Sequence, residues 1–162
     1  MLMSDKKGQI RLISTGQVAE NRKARFNYTI TDTFEAGISL TGAEVKSLRQ
    51  GRANITDGYA TPDGNSIMMN NITIGKYDSE NPYAPHTEKR PRRLLLNKSE
   101  IKRLIGLYNK EHITIVPLKL YFNDKGLAKL LIGVGQGKNL VDKRQTIKKR
   151  EWDRQKARLM KK

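Results

Sequence analysis

The chain has 162 residues and a formal net charge of +16, from 32 Lys and Arg against 16 Asp and Glu. This length fits one domain with a hydrophobic core. The absence of cysteine excludes a disulfide framework and a thiolate metal site, and the short apolar runs exclude a membrane-spanning segment. Residues 1–9 lack the apolar core of a secretion signal, so we expect a cytoplasmic protein.

The N-terminal part of the chain predicts a flexible segment followed by strands. Residues 1–20 are mixed and polar, and we expect most of them to be flexible. RFNYTITDTF then predicts a strand, because Phe26, Tyr28 and Ile30 alternate with polar residues. EAGISL continues as a second short strand.

Two segments predict helices with clear start signals. TGAEVKSLRQG begins with the capping pattern of Thr41 and Glu44 and ends at Gly51. LLLNKSEIKRLIGLYNK repeats the capping pattern with Asn97 and Glu100.

Turn residues in the rest of the chain predict two hairpins. PDGN joins one pair of strands, and NDKG joins HITIVPLKLYF to LAKLLIGVG, with Pro117 indicating an edge or a bulge. Residues 78–93 contain three prolines and predict a long loop. About six strands and two to three helices result. A sheet of this size hides its edges best by closing, so we predict a mainly β fold, a small closed antiparallel barrel of the oligonucleotide-binding (OB) type.

A basic tail ends the chain. Residues 138–162 hold eleven Lys or Arg against three acids, a net charge of +8. Such charge indicates a polyanionic partner, either nucleic acid or a membrane surface. Trp152 and Leu159 share a helical face, but Gln155 and Lys156 lie between them, and this apolar stripe is too thin for a membrane. We therefore predict nucleic acid as the partner and no membrane contact.

Signatures of catalysis are weak in this sequence. The glycines of GVGQG at 133–137 do not have the spacing of a nucleotide-binding loop, so we expect a bend or a close backbone approach. Two histidines, His86 and His112, without cysteine do not predict a metal site. Most carboxylates that could form a nuclease site lie in turns. We predict no cofactor, no small-molecule ligand and no enzymatic activity.

Two basic groups are candidates for RNA contact. NRKARFNY combines Arg22, Lys23 and Arg25 with two aromatic residues, and cations neutralise phosphate while rings stack on unpaired bases. We favour a core position for the two rings, and for the cations RNA contact and a solvated edge both remain open. KRPRR at 89–93 allows the same two interpretations.

Several longer stretches resemble the bacterial SmpB family, also called SsrA-binding protein or small protein B. They are NRKARFNYTITDTFEAGISLTGAEVKSLRQGRANITDGYA, RRLLLNKSEI, PLKLYFND and GVGQGKNLVDKRQTIKKREWDRQKAR, in the family's order and spacing. The resemblance runs from about Asn21 to the C-terminus. It implies an OB barrel (21–137) that binds transfer-messenger RNA (tmRNA), replaces that RNA's missing anticodon half, and brings it to stalled ribosomes. We expect a monomer.

The resemblance also implies site residues. Family RNA contacts correspond to Asn21, Glu35 and Leu95, although Glu35 alone would also fit an ion pair with Arg25 or Lys46. Phe26 stands where many relatives carry His, so we do not count it as a polar contact. The predicted RNA-binding residues are Asn21, Arg22, Lys23, Arg25, Glu35, Leu95 and Lys138.

The tail, residues 138–162, resembles the family's probe of the decoding centre and contains its DKR motif. We expect it to be disordered when free and helical in the empty message channel, where 142–160 would extend about 28 Å. The residues predicted to engage ribosomal RNA there are Gly137, Asp142, Lys143, Arg144, Lys148, Lys149, Arg150, Trp152, Leu159 and Met160. For the apolar residues among them, weak docking onto the barrel is the alternative.

Overall fold

The computed structural model describes residues 3–4, 10–77, 87–137 and 140–160. Its strands are β1 (Met3–Ser4), β2 (Ile10–Arg11), β3 (Gly16–Glu20), β4 (Tyr28–Ile38), β5 (Ala53–Asn54), β6 (Tyr59–Asp63), β7 (Ser66–Asn70), β8 (Thr73–Ile74), β9 (Arg92–Leu95), β10 (Thr114–Phe122) and β11 (Ala128–Gly137). Its helices are α1 (Arg22–Asn27), α2 (Gly42–Arg49), α3 (Lys98–Glu111) and α4 (Leu140–Met160). Residues 78–86 of the predicted loop lie outside the described residues, whereas the last two of that loop begin β9.

Six strands of the main sheet close into a ring. Their order is β11-β4-β9-β7-β6-β10, and β10 pairs again with β11, while β3 adds along β10. These pairings are all antiparallel. The prediction of a mainly β, closed antiparallel fold with about six strands is therefore confirmed, and we call this assembly the ring.

Strand β10 changes partner at the predicted irregularity. Its first part pairs with β6 through Ile115, its last part pairs with β3 from Lys119 onward, and its register with β11 shifts between Pro117 and Lys119. Proline cannot donate to a sheet ladder, so a bulge relieves the pairing there. The predicted bulge is confirmed. One consequence is that Leu118 packs on the outside of the ring, whereas Leu120 packs inside.

Two apolar clusters stabilise the fold. The larger one fills the ring, and its buried members include Phe34, Met69, Leu104, Ile115, Leu120 and Ile132. The smaller one consists of Ala24, Val116 and Leu118 with half-buried neighbours, and it fixes α1 to the outer surface of the ring. This attachment positions α1 beside β10 and β4.

The beginning of the folded body differs from the prediction. Residues 22–27 form α1 instead of the start of a strand, because the Asn21 side chain accepts from the Ala24 N–H at 3.2 Å and caps the helix. Residues 28–38 are then one strand rather than two. The predicted domain boundary after residue 20 is also too late, because Gly16–Glu20 already pair with β10.

The two predicted helices with capping patterns are confirmed. At α2 the Thr41 Oγ1 accepts from the Glu44 N–H at 3.2 Å, and the Thr41 N–H donates to the Glu44 carboxylate at 2.9 Å. Gly51 follows α2 with a φ of +75°, which glycine adopts without strain. At α3 the Asn97 N–H donates to Glu100 at 3.2 Å. Both predicted hairpins are also present, as β6–β7 and β10–β11.

Glycines in β11 allow close packing of the outer surface. A Cβ at Gly133 would lie 2.9 Å from a Leu118 methyl carbon, and one at Gly135 would lie 3.0 Å from the Tyr28 Cβ. Both distances are shorter than ordinary van der Waals contact. The predicted close backbone approach in GVGQG is confirmed, and these residues belong to a strand.

Candidate nucleic-acid interface

Helix α1 presents the first predicted basic group. Arg22, Lys23 and Arg25 are exposed on it, and its first turn contains no acid. Arg22 and Lys23 lie in the first turn, where cations oppose the helix dipole and do not favour the helix itself, whereas Arg25 lies in the last turn. Their exposed position on a helix anchored to the ring therefore fits a binding surface for an anionic partner.

Asn21 caps α1 and attaches it to β10. It is only 4% exposed, and its amide donates to the Pro117 carbonyl at 2.9 Å while its oxygen caps α1. Its own N–H donates to the Leu118 carbonyl at 2.9 Å. The structure thus gives Asn21 an inward, positioning role, in contrast to the direct contact that the resemblance suggested.

Replacing Asn21 with Ala should destabilise the fold and weaken RNA binding together. The change removes the helix cap and leaves the Pro117 carbonyl without its donor, which costs about 1–3 kcal/mol. The measurement pairs urea unfolding with RNA affinity. Lys23→Ala is the matched control, because it should reduce affinity without changing stability. An Asn21→Ala protein of normal stability and low affinity would contradict the positioning role.

The strand register brings two further predicted RNA-binding residues, Glu35 and Leu95, onto one outer surface. Gly37 of β4 pairs with Leu95 of β9 on one side and with Lys129 of β11 on the other, and Lys129 pairs with Tyr121. In the next row, Leu131 pairs with both Glu35 and Lys119. We call this surface, made of Glu35, Leu95, Lys119, Tyr121, Lys129 and Leu131, the outer face.

Glu35 has a partner that differs from both predicted cations. Its carboxylate accepts a hydrogen bond from the Tyr121 hydroxyl. Burial, together with this hydrogen bond and the nearby negative charge, raises the pKa of Tyr121 to about 12. The Tyr121 hydroxyl therefore stays protonated at neutral pH and holds the carboxylate in place. The alternative interpretation, an ion pair with Arg25 or Lys46, is not observed among the described residues.

Leu95 adds an exposed apolar side chain to the outer face. Its side chain is 55% exposed, and its Cβ lies only 3.1 Å from the position of a Cβ at Gly37. A shallow groove of about 340 Å³ next to it is bordered by Leu127, which is similarly exposed. Unpaired bases pack on such apolar surfaces.

The second predicted basic group is divided between surface and interior. Arg92 is 0% exposed and donates to Glu44 at 2.7 Å, to Ile72 O and Arg90 O at 3.1 Å, and to Glu88 O at 3.0 Å. Arg90 also forms a salt bridge with Glu44. Because Arg92 is fully buried, RNA contact is the wrong interpretation for it. The Arg90 side chain is half-buried, while Lys89 and Arg93 are exposed.

The tail forms the helix α4, whose described side chains point into solvent. Trp152 is 58% and Leu159 70% exposed, and Lys148 and Lys149 are exposed as well. Among the described residues, Arg150 contacts α1, and its guanidinium lies 5.6 Å from the centre of the Phe26 ring. Docking of the apolar tail residues onto the ring, the alternative interpretation, is not observed for Trp152 and Leu159.

The remaining predicted tail residues lie at the two ends of α4 or before it. The DKR motif at 142–144 and Met160 lie in the helical backbone, and Gly137 ends β11 with no atom within 4 Å of an added Cβ. Lys138 falls outside the described residues. Within the described part of the chain, no helix has the length and apolarity to cross a bilayer, and no group of three or more His, Asp or Glu is placed to bind a metal.

Comparison with known proteins assigns the family. A sequence model described as SmpB protein matches residues 18–162. The chain belongs to the SmpB family. Among its relatives, an SsrA-binding protein of Methylorubrum populi is 56% identical over 143 residues, 88% of this chain and 90% of the relative. One of Sinorhizobium fredii is 55% identical over 144 residues, 89% of this chain and 90% of the relative.

A solved structure supports the family at the level of the fold. It is described as "tmRNA-SmpB: a journey to the center of the bacterial ribosome" and is 42% identical to this chain. The match covers 78% of this chain and 86% of the other, with a TM-score of 0.63. The predicted resemblance to the SmpB family is therefore confirmed by sequence and by structure.

Four residues of the outer face were absent from the predicted site. They are Lys119, Tyr121, Lys129 and Leu131, which lie on β10 and β11, between β4 and β3 in the strand order. Alternation in KLYF puts Lys119 and Tyr121 on one side of a strand, and this much could be predicted from the sequence. Which residues of other strands lie beside them depends on the strand order, which the sequence does not reveal.

Proposed function

We propose that this chain binds transfer-messenger RNA and delivers it to stalled ribosomes for trans-translation. The observation that carries the proposal is the meeting of Glu35 and Leu95 with the α1 cations on one side of the ring, in a member of the SmpB family. Phosphates are neutralised by the cations, and unpaired bases contact Glu35 and Leu95. The protein acts by binding, without a chemical step, and acts as a monomer.

The tail has a separate role in this proposal. Helix α4 has 21 residues and so extends about 30 Å, long enough to follow a narrow channel. Its exposed Trp152 and Leu159, together with Lys148 and Lys149, then contact ribosomal RNA of the decoding centre and the mRNA channel. A message in the channel excludes the helix, so α4 distinguishes empty ribosomes from translating ones. The DKR motif and Arg150 belong to the same contact.

Before it meets a ribosome the tail should be largely unfolded. Arg150, Arg154 and Arg158 follow each other at i,i+4 spacing, where like charges repel. Isolated helices are marginal in water even without such repulsion. Ribosomal phosphates remove the repulsion and release counterions, which stabilises the helix on binding.

Binding of the purified protein to tmRNA and to an elongator tRNA, measured across a salt series, tests the proposal. We expect the tmRNA preference to persist as salt rises, because base and shape contacts respond less to salt than phosphate contacts. A general basic RNA-binding protein would lose both affinities in parallel. Two equal affinities that fall together would contradict the proposed function.

A further inference from the structure

The outer face presents an unusual group for an RNA-binding surface, an exposed carboxylate. Among the described residues no Lys or Arg pairs with Glu35, and the Tyr121 hydroxyl is its hydrogen-bond partner. A carboxylate has about four acceptor sites on its two oxygens. One accepts from Tyr121, so both oxygens can still accept bonds from a ligand.

A shallow depression, open to solvent, lies beside this pair. It has a volume of about 320 Å³ and is bordered by Gly16, Gln17, Lys119, Tyr121 and Leu131. Leu131 pairs directly with Glu35, so the apolar side of the depression is next to Glu35 in the sheet. Lys119 stands on the opposite side of Leu131. An apolar wall between an acceptor and a cation suits a nucleotide, whose base is flat and whose phosphate is anionic.

The acceptor chemistry discriminates among the four bases. Guanine has two adjacent donors on its Watson–Crick edge, N1–H and the N2 amino group. Adenine and cytosine each place a ring-nitrogen acceptor beside the amino group, and uracil flanks its one N–H with two carbonyls. A carboxylate, which only accepts, therefore matches guanine with both oxygens and meets repulsion from the other three bases.

We propose that the Glu35–Tyr121 pair recognises the Watson–Crick edge of one unpaired guanine in the bound RNA. Glu35 accepts from N1–H and the N2 amino group, and Tyr121 is a positioning residue that fixes the carboxylate. Lys119 neutralises a neighbouring phosphate. The inference rests on the proposed function and adds to it the identity of a base.

Four short RNAs test the base preference with the full chain. UUGUU, UUIUU, UUAUU and UUCUU differ at one base, and inosine lacks only the N2 amino group of guanine. By fluorescence anisotropy we expect UUGUU to bind about tenfold more tightly than UUAUU and UUCUU, since a bidentate pair contributes about 1–3 kcal/mol of discrimination. UUIUU should be intermediate. Equal affinities for the four RNAs would overturn the inference.

Variants connect the preference to the two residues. Glu35→Gln replaces one acceptor by a donor and should abolish the guanine preference, whereas Glu111→Gln makes the same change at an exposed position of α3 and should retain it. Tyr121→Phe should reduce the preference severalfold in the wild-type background and have no effect in Glu35→Gln, because it acts through Glu35. Tyr77→Phe is its control. A Tyr121→Phe effect that persists without Glu35 would contradict the positioning role.

The guanine site can be disproved while the proposed tmRNA function still holds, and the reverse is also possible. A protein that prefers tmRNA over elongator tRNA at high salt, yet binds the four short RNAs equally, retains the function and loses the guanine site. A protein that shows the guanine preference but no tmRNA preference retains the site and loses the function. The two measurements use the same purified chain, so each result stands by itself.

Discussion

Removing residues 138–162 should abolish peptide tagging on stalled ribosomes and leave tmRNA affinity nearly intact. The α1 cations and the outer face all lie within residues 16–137. Among the described residues, Arg150 of α4 contacts the aromatic side chain of Phe26 in α1. The truncated chain therefore keeps its RNA surface but has nothing to enter the message channel. Tagging in a reconstituted translation system and RNA affinity at fixed salt measure the two effects.

The charge of the tail lets this experiment separate specific RNA binding from binding by net charge alone. The removed segment carries a net +8, half of the charge of the chain. If binding depended on charge alone, the truncation would reduce RNA affinity steeply, and the reduction would shrink as salt rises. A length-matched control changes Lys148, Lys149 and Arg150 to Gln and keeps α4 present. Tagging that survives the truncation would show that the tail is not the ribosome-engaging part.

Local signals in the sequence predicted the elements whose causes are local. Helix α2 depends on Thr41 and Glu44, three residues apart, and the β6–β7 hairpin depends on its turn, so both were predicted correctly. The first strand was partly wrong because the alternation of Phe26 with later apolar residues imitates a strand. What makes residues 22–27 helical includes a bond from Asn21 to a carbonyl 96 residues away.

In the candidate site as well, the contacts that could not be predicted join residues far apart in the sequence. Glu35 and Tyr121 are separated by 86 residues, and only the order of strands brings them together. Arg92 and Glu44 are separated by 48 residues. In KRPRR the buried and the exposed cations look alike, because burial depends on which strand covers them. A resemblance to a family located Glu35 and Leu95, but not the tyrosine that holds Glu35.

Replacing Glu44 with Ala should destabilise the protein by about 3–5 kcal/mol, because it leaves the fully buried Arg92 charge without its counter-ion. That is a large part of the free energy of unfolding of a small domain. Asp32→Ala is the control, because it breaks an exposed pair with Arg103 and should cost less than about 1 kcal/mol. Urea unfolding measures both. Similar losses in the two variants would contradict a structural role for the buried network.

The network should also show itself in the pH dependence of stability. Burial alone would raise the pKa of Glu44, but hydrogen bonds from Arg90, the Thr41 N–H and Arg92 outweigh it and hold that pKa below 4.5. A carboxyl whose pKa is lower in the folded state stabilises the fold above its unfolded pKa and loses that contribution as pH falls through its folded pKa. The difference in unfolding free energy between wild type and Glu44→Gln should be constant near neutral pH and shrink below about pH 4.5. A difference that does not change with pH would contradict a charged Glu44 as the source of this stabilisation.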